Sequence, residues 1–180
     1  MEEEFGDSLE IEWRSFLLRP RPAEKRDLEK FVSYTQSWLR PAAEPDAPRF
    51  QVWESREGPP SHSVPPHLVA KAAASLGAAS FHVIHDRLLR AYFGENRDIT
   101  ALATLRAVWN EAGLPEAEFE RSEAPALLEE TLGQHREAVE RGVNGVPASG
   151  VAGSAAYIVG AHPVEMYRRW IQRLQAGVLD

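Results

Sequence analysis

The chain has 180 residues, 43% of them apolar and 26% charged, with a formal net charge of −7. This is enough for one compact domain and marginal for two, and the balance is that of a folded soluble chain. The acidic surface disfavours a phosphate backbone as partner, and the absence of cysteine excludes disulfide, thiolate and iron–sulfur chemistry by this polypeptide.

Residues 1–10 carry five acidic groups and no apolar run, so no leader is expected there. No apolar stretch approaches the roughly 20 residues of a membrane helix. The expectation is a cytoplasmic domain with no membrane contact.

Leu9 to Leu18 reads as a strand. Leu9, Ile11, Trp13, Ser15 and Leu17 share one face, and Glu10, Glu12 and Arg14 the other. Arg19-Pro20-Arg21-Pro22 stops it, since proline lacks the ladder donor. Ala23 to Leu39 is expected to be helical, with Leu28, Phe31, Val32, Thr35 and Leu39 at helical spacing. Residues 41–66 hold seven prolines (Pro41, Pro45, Pro48, Pro59, Pro60, Pro65, Pro66), a long loop with an apolar patch at Phe50–Trp53.

An alanine-rich helix is expected over His67–Leu76, broken at Gly77. Ala79–Phe93 is the clearest helix, with Phe81, Ile84, His85, Leu88, Leu89 and Tyr92 inward and Gly94 at its end. Asp98 is placed to cap Ile99–Ala112, whose inward residues would be Ile99, Leu102, Leu105, Val108 and Trp109. Gly113 ends it. Pro125–Arg141 follows, with Leu128, Thr131, Leu132, His135 and Val139 on one face. Gly142–Gly150 then reads as a turn-rich entry to a strand, paired as a hairpin across Gly153 with Ser154–Val159. Pro163 opens a last helix with the stripe Val164, Tyr167, Ile171 and Leu174. The order predicts an α/β layer with a large helical block between its halves.

Four segments, in this order, resemble the DsbA-like thioredoxin family, in particular its cytoplasmic FrnE-like branch, related to the 2-hydroxychromene-2-carboxylate isomerases. They are Ile11–Pro20; Pro59–Ser63 running into Ala70–Ala73; Leu88–Phe93 with Arg97–Ile99 and Glu111–Leu114; and Ala138 through Gly142-Val-Asn-Gly-Val-Pro147 to Gly160–Pro163. The resemblance implies a thioredoxin-like sheet with a helical insertion: one domain over 1–180, with 8–40 and 136–180 as the thioredoxin-like part and 63–135 as the insertion. It also implies a cis bond at Val146-Pro147, where residue 146 offers its N–H and C=O to an extended peptide or a thiol compound.

The family starts with a strand and a Cys-Pro-Trp-Cys-type motif at the head of the first helix. Here Glu2–Gly6 looks like the tail of that helix, so the expected form is N-terminally truncated, and the lack of cysteine leads to the expectation that the chain as written is catalytically inactive. Ala148-Ser-Gly150 also departs from the bulky residues usual after the proline. Three functions fit: an inactive binding or scaffolding relative, a fragment of an active oxidoreductase whose CxxC lies upstream, or a glutathione-dependent isomerase or transferase relative.

A missing strand exposes sheet edges, so a homodimer or a strand-donating protein is the expected partner. No cofactor is expected. His82 and His85 lie three apart without a third ligand at usual spacing, so no metal site is expected. Ser61, Ser63 and Ser149 have no base and orienting group in view, so no catalytic residue is assigned. Arg19 and Arg21 are candidate clamps for a glutathione carboxylate. With Lys25 and Arg26 they form the most basic stretch, and no nucleic-acid partner is expected.

Overall fold

The computed structural model describes residues 2–44, 47–154 and 157–177. In chain order the elements are α1 (Glu2–Phe5), α2 (Leu28–Thr35), α3 (Leu39–Ala42), α4 (Val64–Ala74), α5 (Ala78–Leu89), α6 (Leu102–Glu111), α7 (Pro125–Glu140), β1 (Ala148–Gly150), β2 (Tyr157–Val159) and α8 (Val164–Gln175). A π-helical turn at Arg90–Gly94 continues α5, and 3-10 helix covers Glu116–Glu123. The protein is mostly helical. Among the described residues the sheet has two strands, paired antiparallel with Ser149 opposite Ile158. Two compact units are formed, one from the described residues of Leu17–Leu132 and one from those of Met1–Phe16 with Gly133–Asp180.

The expected strand over Leu9–Leu18 is not formed. Ser15 and Leu17 are buried, but Ile11 and Trp13 are exposed and no ladder runs along the segment. Alternation specifies two faces; a strand also needs a paired neighbour for its backbone. Here the Ser15 N–H donates to Gln134 Oε1 at 2.8 Å, Arg14 pairs with Glu137, and the Phe16 ring meets His135 edge-on at 5.1 Å. Side chains of α7 thus do part of what a strand would do.

In the Leu17–Leu132 unit, α2 starts at Leu28, five residues later than expected, because the Asp27 carboxylate caps it by accepting from the Lys30 N–H at 3.0 Å. Pro65 and Pro66 sit in the first turn of α4, where their missing N–H groups cost no helical bond. The Ser63 hydroxyl is not a cap: it accepts from the Arg19 N–H at 3.0 Å, while the Ser63 N–H donates to the Arg19 carbonyl at 2.8 Å. These bonds hold residues 19–23 against 60–63.

One core packs Val69, Ala72 and Ala73 of α4 against Ile84 and Leu88 of α5, Leu105, Val108 and Trp109 of α6, and Phe119. A second gathers Phe31, Trp38 and Trp53, with Phe50, Tyr92 and Phe93 packed against it. Leu89 and Leu102, expected inward, are 44% and 59% exposed. Leu128 and Val139 of α7 also face out, while Thr131 is fully buried.

Asp98 does not cap α6. Its carboxylate accepts from the Thr100 N–H at 2.9 Å and the Thr100 hydroxyl at 2.5 Å, and pairs with Arg26 at 2.6 Å, so the helix begins at Leu102 instead. Asn96, at φ 52°, presents its Oδ1 to the Glu54 N–H at 2.8 Å. Gly94 lets the incoming loop approach closely: a Cβ there would lie 3.1 Å from the Arg49 carbonyl oxygen.

In the other unit the hairpin forms as expected, with Gly153 at φ 81°; residues 155 and 156 of the predicted second strand, like Pro45 of the proline-rich segment, lie outside the described residues. The smallness of Gly150 has a cause. The Tyr157 ring lies over it so closely that a Cβ would sit 2.6 Å from Cε1. Arg141 donates to the Tyr157 hydroxyl at 3.1 Å and fixes the ring. The Tyr167 hydroxyl donates to the Gly160 carbonyl at 3.0 Å, and Arg168 pairs with Glu4 at 2.5 Å, so α8 is tied to the hairpin and to α1.

Three outcomes follow. Phe31→Ala should cost about 3–5 kcal/mol in urea unfolding, because it empties the centre of the ring cluster. Among the described residues the buried Thr131 hydroxyl has no hydrogen-bond partner, so Thr131→Val should hold or raise stability, by up to about 1 kcal/mol, rather than lower it. Burial first, and then the neighbouring His82, pull the His85 pKa below its ordinary 6.5; burial likewise lowers that of His62, against the opposing charge of Asp98. The unfolded chain therefore binds these protons first on acidification, and stability present above about pH 6.5 is lost as the pH falls below it. Thermal melts should show Tm level above that point and declining below it, with a shallower decline in His85→Gln; a Tm that rises on acidification would contradict this.

Candidate functional site

Val146-Pro147 is cis, as the resemblance implies, and stands at the entry to β1. Val146 is 49% exposed. The Pro147 carbonyl accepts from the Gly160 N–H at 2.8 Å, which extends the hairpin by one bond beyond the Ala148–Val159 pair. Among the described residues nothing hydrogen-bonds the Val146 N–H or C=O. The outer edge of β1 is likewise without a ladder partner among the described residues.

The sequence-based candidates elsewhere take structural positions. The Arg19 guanidinium donates to the Pro60 carbonyl at 3.4 Å and lies 5.9 Å from the centre of the Phe31 ring. Arg26 is held by Asp98 and by the Pro59 carbonyl at 3.0 Å. Arg21 is exposed. These arginines therefore do not converge as a carboxylate clamp. Ser61 Oγ lies 2.8 Å from His62 Nδ1 and 3.5 Å from Thr100 Oγ1. This chain leads back to the Asp98 carboxylate, but the contacts bind neighbouring loop residues and do not converge on a cleft. His85 stacks on Phe81 at 5.4 Å. Among the described residues no group of three or more His, Cys, Asp or Glu is placed to hold a metal ion.

Sequence reasoning missed an open groove of about 620 Å³ between β2 and α8, lined by Ile158, Pro163, Glu165, Met166, Arg169, Trp170 and Arg173. Val146 does not line it. The signal was present: Met166, Arg169, Trp170 and Arg173 recur at three- and four-residue spacing. It was masked by the parallel stripe of Tyr167, Ile171 and Leu174. Val164, assigned to that stripe, is 53% exposed.

Comparison with known proteins places this geometry in a family. Three solved structures share the fold. A protein put forward as a disulfide isomerase, from Nitrosomonas europaea, superposes with a TM-score of 0.69 at 19% identity, over 87% of this chain and 78% of its own. The cytosolic disulfide reductase DsbM from Pseudomonas aeruginosa superposes with a TM-score of 0.65 at 19% identity, over 89% and 80%. Its structure with GSH gives 0.63 at 19% identity and the same coverage. At this identity the likeness speaks for the fold alone. None of the curated proteins matches the chain. No helix among the described residues is long and apolar enough to cross a membrane. The family model of the DSBA-like thioredoxin domain matches residues 2–172. The chain belongs to the DSBA-like thioredoxin domain family, and it does so without a cysteine.

Proposed function

We propose that this chain is a non-redox member of its family, a domain that holds an extended thiol peptide such as glutathione, or a peptide segment, along Val146–Gly150 without exchanging electrons with it. The observation that carries the reading is the absence of cysteine from all 180 residues. Thiol–disulfide exchange begins with a thiolate attacking a disulfide sulfur, and no other side chain replaces it. Met1 and Met166 are thioethers and cannot form that bond.

Holding a peptide needs less. The open Val146 N–H and C=O and the bare edge of β1 supply main-chain hydrogen bonds, the usual means by which a sheet edge takes an extended segment. One relative of the same fold is described as a cytosolic disulfide reductase and has been solved with GSH, which supports glutathione as the first ligand to try and a cytoplasmic setting as the working assumption.

The test has two parts. In a dithiothreitol-driven insulin reduction assay the purified chain should leave the rate at that of the reaction without protein; acceleration would overturn the non-redox reading. In a two-dimensional amide NMR titration, glutathione and S-methylglutathione should shift the Val146, Ser149 and Gly150 resonances alike, because binding does not use the thiol. Shifts with neither compound, nor with a blocked extended peptide, would overturn the binding reading.

A further inference from the structure

We propose that the groove between β2 and α8 docks an acidic peptide segment carrying an apolar anchor residue, at a place distinct from Val146–Gly150. The floor is apolar: Ile158 from β2, and Pro163, Met166 and Trp170 from the α8 side. The rim is cationic. Arg169 and Arg173 stand one helical turn apart, both exposed, and among the described residues neither has a carboxylate partner. Their neighbour Arg168 shows the contrast, paired with both Glu4 and Glu165. Glu165, the acidic residue of the rim, is thereby engaged, and two uncompensated cations remain beside an indole in a chain of net charge −7.

Burial argues the same way. α8 contains no buried residue, and among the described residues of its unit only Ser15 and Val143 are buried. An amphipathic helix gains its stability by covering its apolar side. Among the described residues, Ile158 is the apolar side chain from β2 that lines the groove with Met166 and Trp170. A partner for this side must be apolar to lie on Trp170 and Met166, and anionic to satisfy Arg169 and Arg173. An acidic peptide with a leucine or phenylalanine anchor meets both requirements, and electrostatic steering toward two like charges would favour its encounter. A phosphate backbone would meet the second requirement only, since it brings no aliphatic group to lie on Trp170 and Met166.

The probe is a blocked peptide of alternating glutamate and leucine, with its lysine–leucine counterpart as control, titrated into the full chain labelled with nitrogen-15. The Trp170 indole N–H, assigned through Trp170→Phe, should shift to saturation with the acidic peptide and stay in place with the basic one. The Val146 amide should stay in place in both titrations, so that the outcome is separate from that of glutathione binding. The double variant Arg169→Glu with Arg173→Glu alters exposed side chains only and should weaken the acidic peptide about fivefold or more. The proposal is overturned by an unmoved Trp170 indole, by equal binding of the two peptides, by a single-stranded oligonucleotide that binds more tightly than the acidic peptide, or by self-association of the wild-type chain through this groove, seen in light scattering and lost in the double variant.

Discussion

A segment with seven prolines between residues 41 and 66 cannot be held by a ladder of backbone bonds, and the larger unit depends on another way of holding it. The solution is a cluster of rings. Phe31 meets Trp53 edge-on at 5.1 Å and Trp38 at 6.0 Å; Trp38 in turn meets Tyr92 and Phe93 at 5.2 and 4.9 Å. Trp53 is 1% exposed, and its N–H donates to the Thr35 hydroxyl at 3.0 Å, so the loop closes onto α2 through one ring and one hydrogen bond. Burial at the same place pushes the Tyr92 phenol well above its ordinary pKa, which keeps it neutral within the cluster. The Asp98–Arg26 pair and the Asn96 side chain complete the attachment at the other end of the loop.

The two units differ in how they are stabilised. The unit of Leu17–Leu132 has two clusters of buried side chains. The other relies on a three-residue hairpin, on Tyr157 lying over Gly150, and on polar ties from Tyr167, Arg168 and Gln175. A hairpin of that size is marginal by itself. Both candidate ligand positions, the edge at Val146–Gly150 and the groove at Trp170, lie in this thinly covered unit. That is where bound chain would contribute most to stability, since anything that binds only the folded form stabilises it.

The parts legible in the sequence were those where one local rule decides. Alanine-rich α4, the Gly77 break, α5, α7, the hairpin at Gly153 and the entry Gly142–Pro147 follow from periodicity and turn residues. The parts that were not legible depend on partners distant in sequence. Asp98 satisfies the pattern of a cap, but Arg26, 72 residues earlier, and the nearby Thr100 claim its oxygens. Leu9–Leu18 alternates like a strand, yet the Ser15 N–H donates to the Gln134 side chain and the Arg14 guanidinium to Glu137. The 3-10 run at Glu116–Glu123 has no periodic apolar signal: Phe119 is its buried ring, edge-on to Trp109 at 5.7 Å, and Ser122 is its other buried residue, while Glu116 and Glu120 pair with Arg106. At the site, composition revealed what chemistry was closed, and the resemblance pointed to Val146-Pro147; the Trp170 groove required knowing which side of α8 the hairpin covers.

The π-helical turn at Arg90–Gly94 has a consequence for how this region tolerates change in length. Its wider winding lets Tyr92 and Phe93, adjacent in sequence and 4.7 Å apart by ring centres, both reach the aromatic cluster, while Gly94 arrives at the one spot open to the Arg49 carbonyl. Such a turn is one residue longer than the α-helical turn it replaces. Deleting a single residue there would remove the extra residue of that turn, leave room for one ring where two now reach the cluster, and bring a side chain to the place beside the Arg49 carbonyl that Gly94 now occupies. The extra residue is thus a spacer that sets the phase between α5 and the loop, and the segment can exchange side chains more readily than it can lose one.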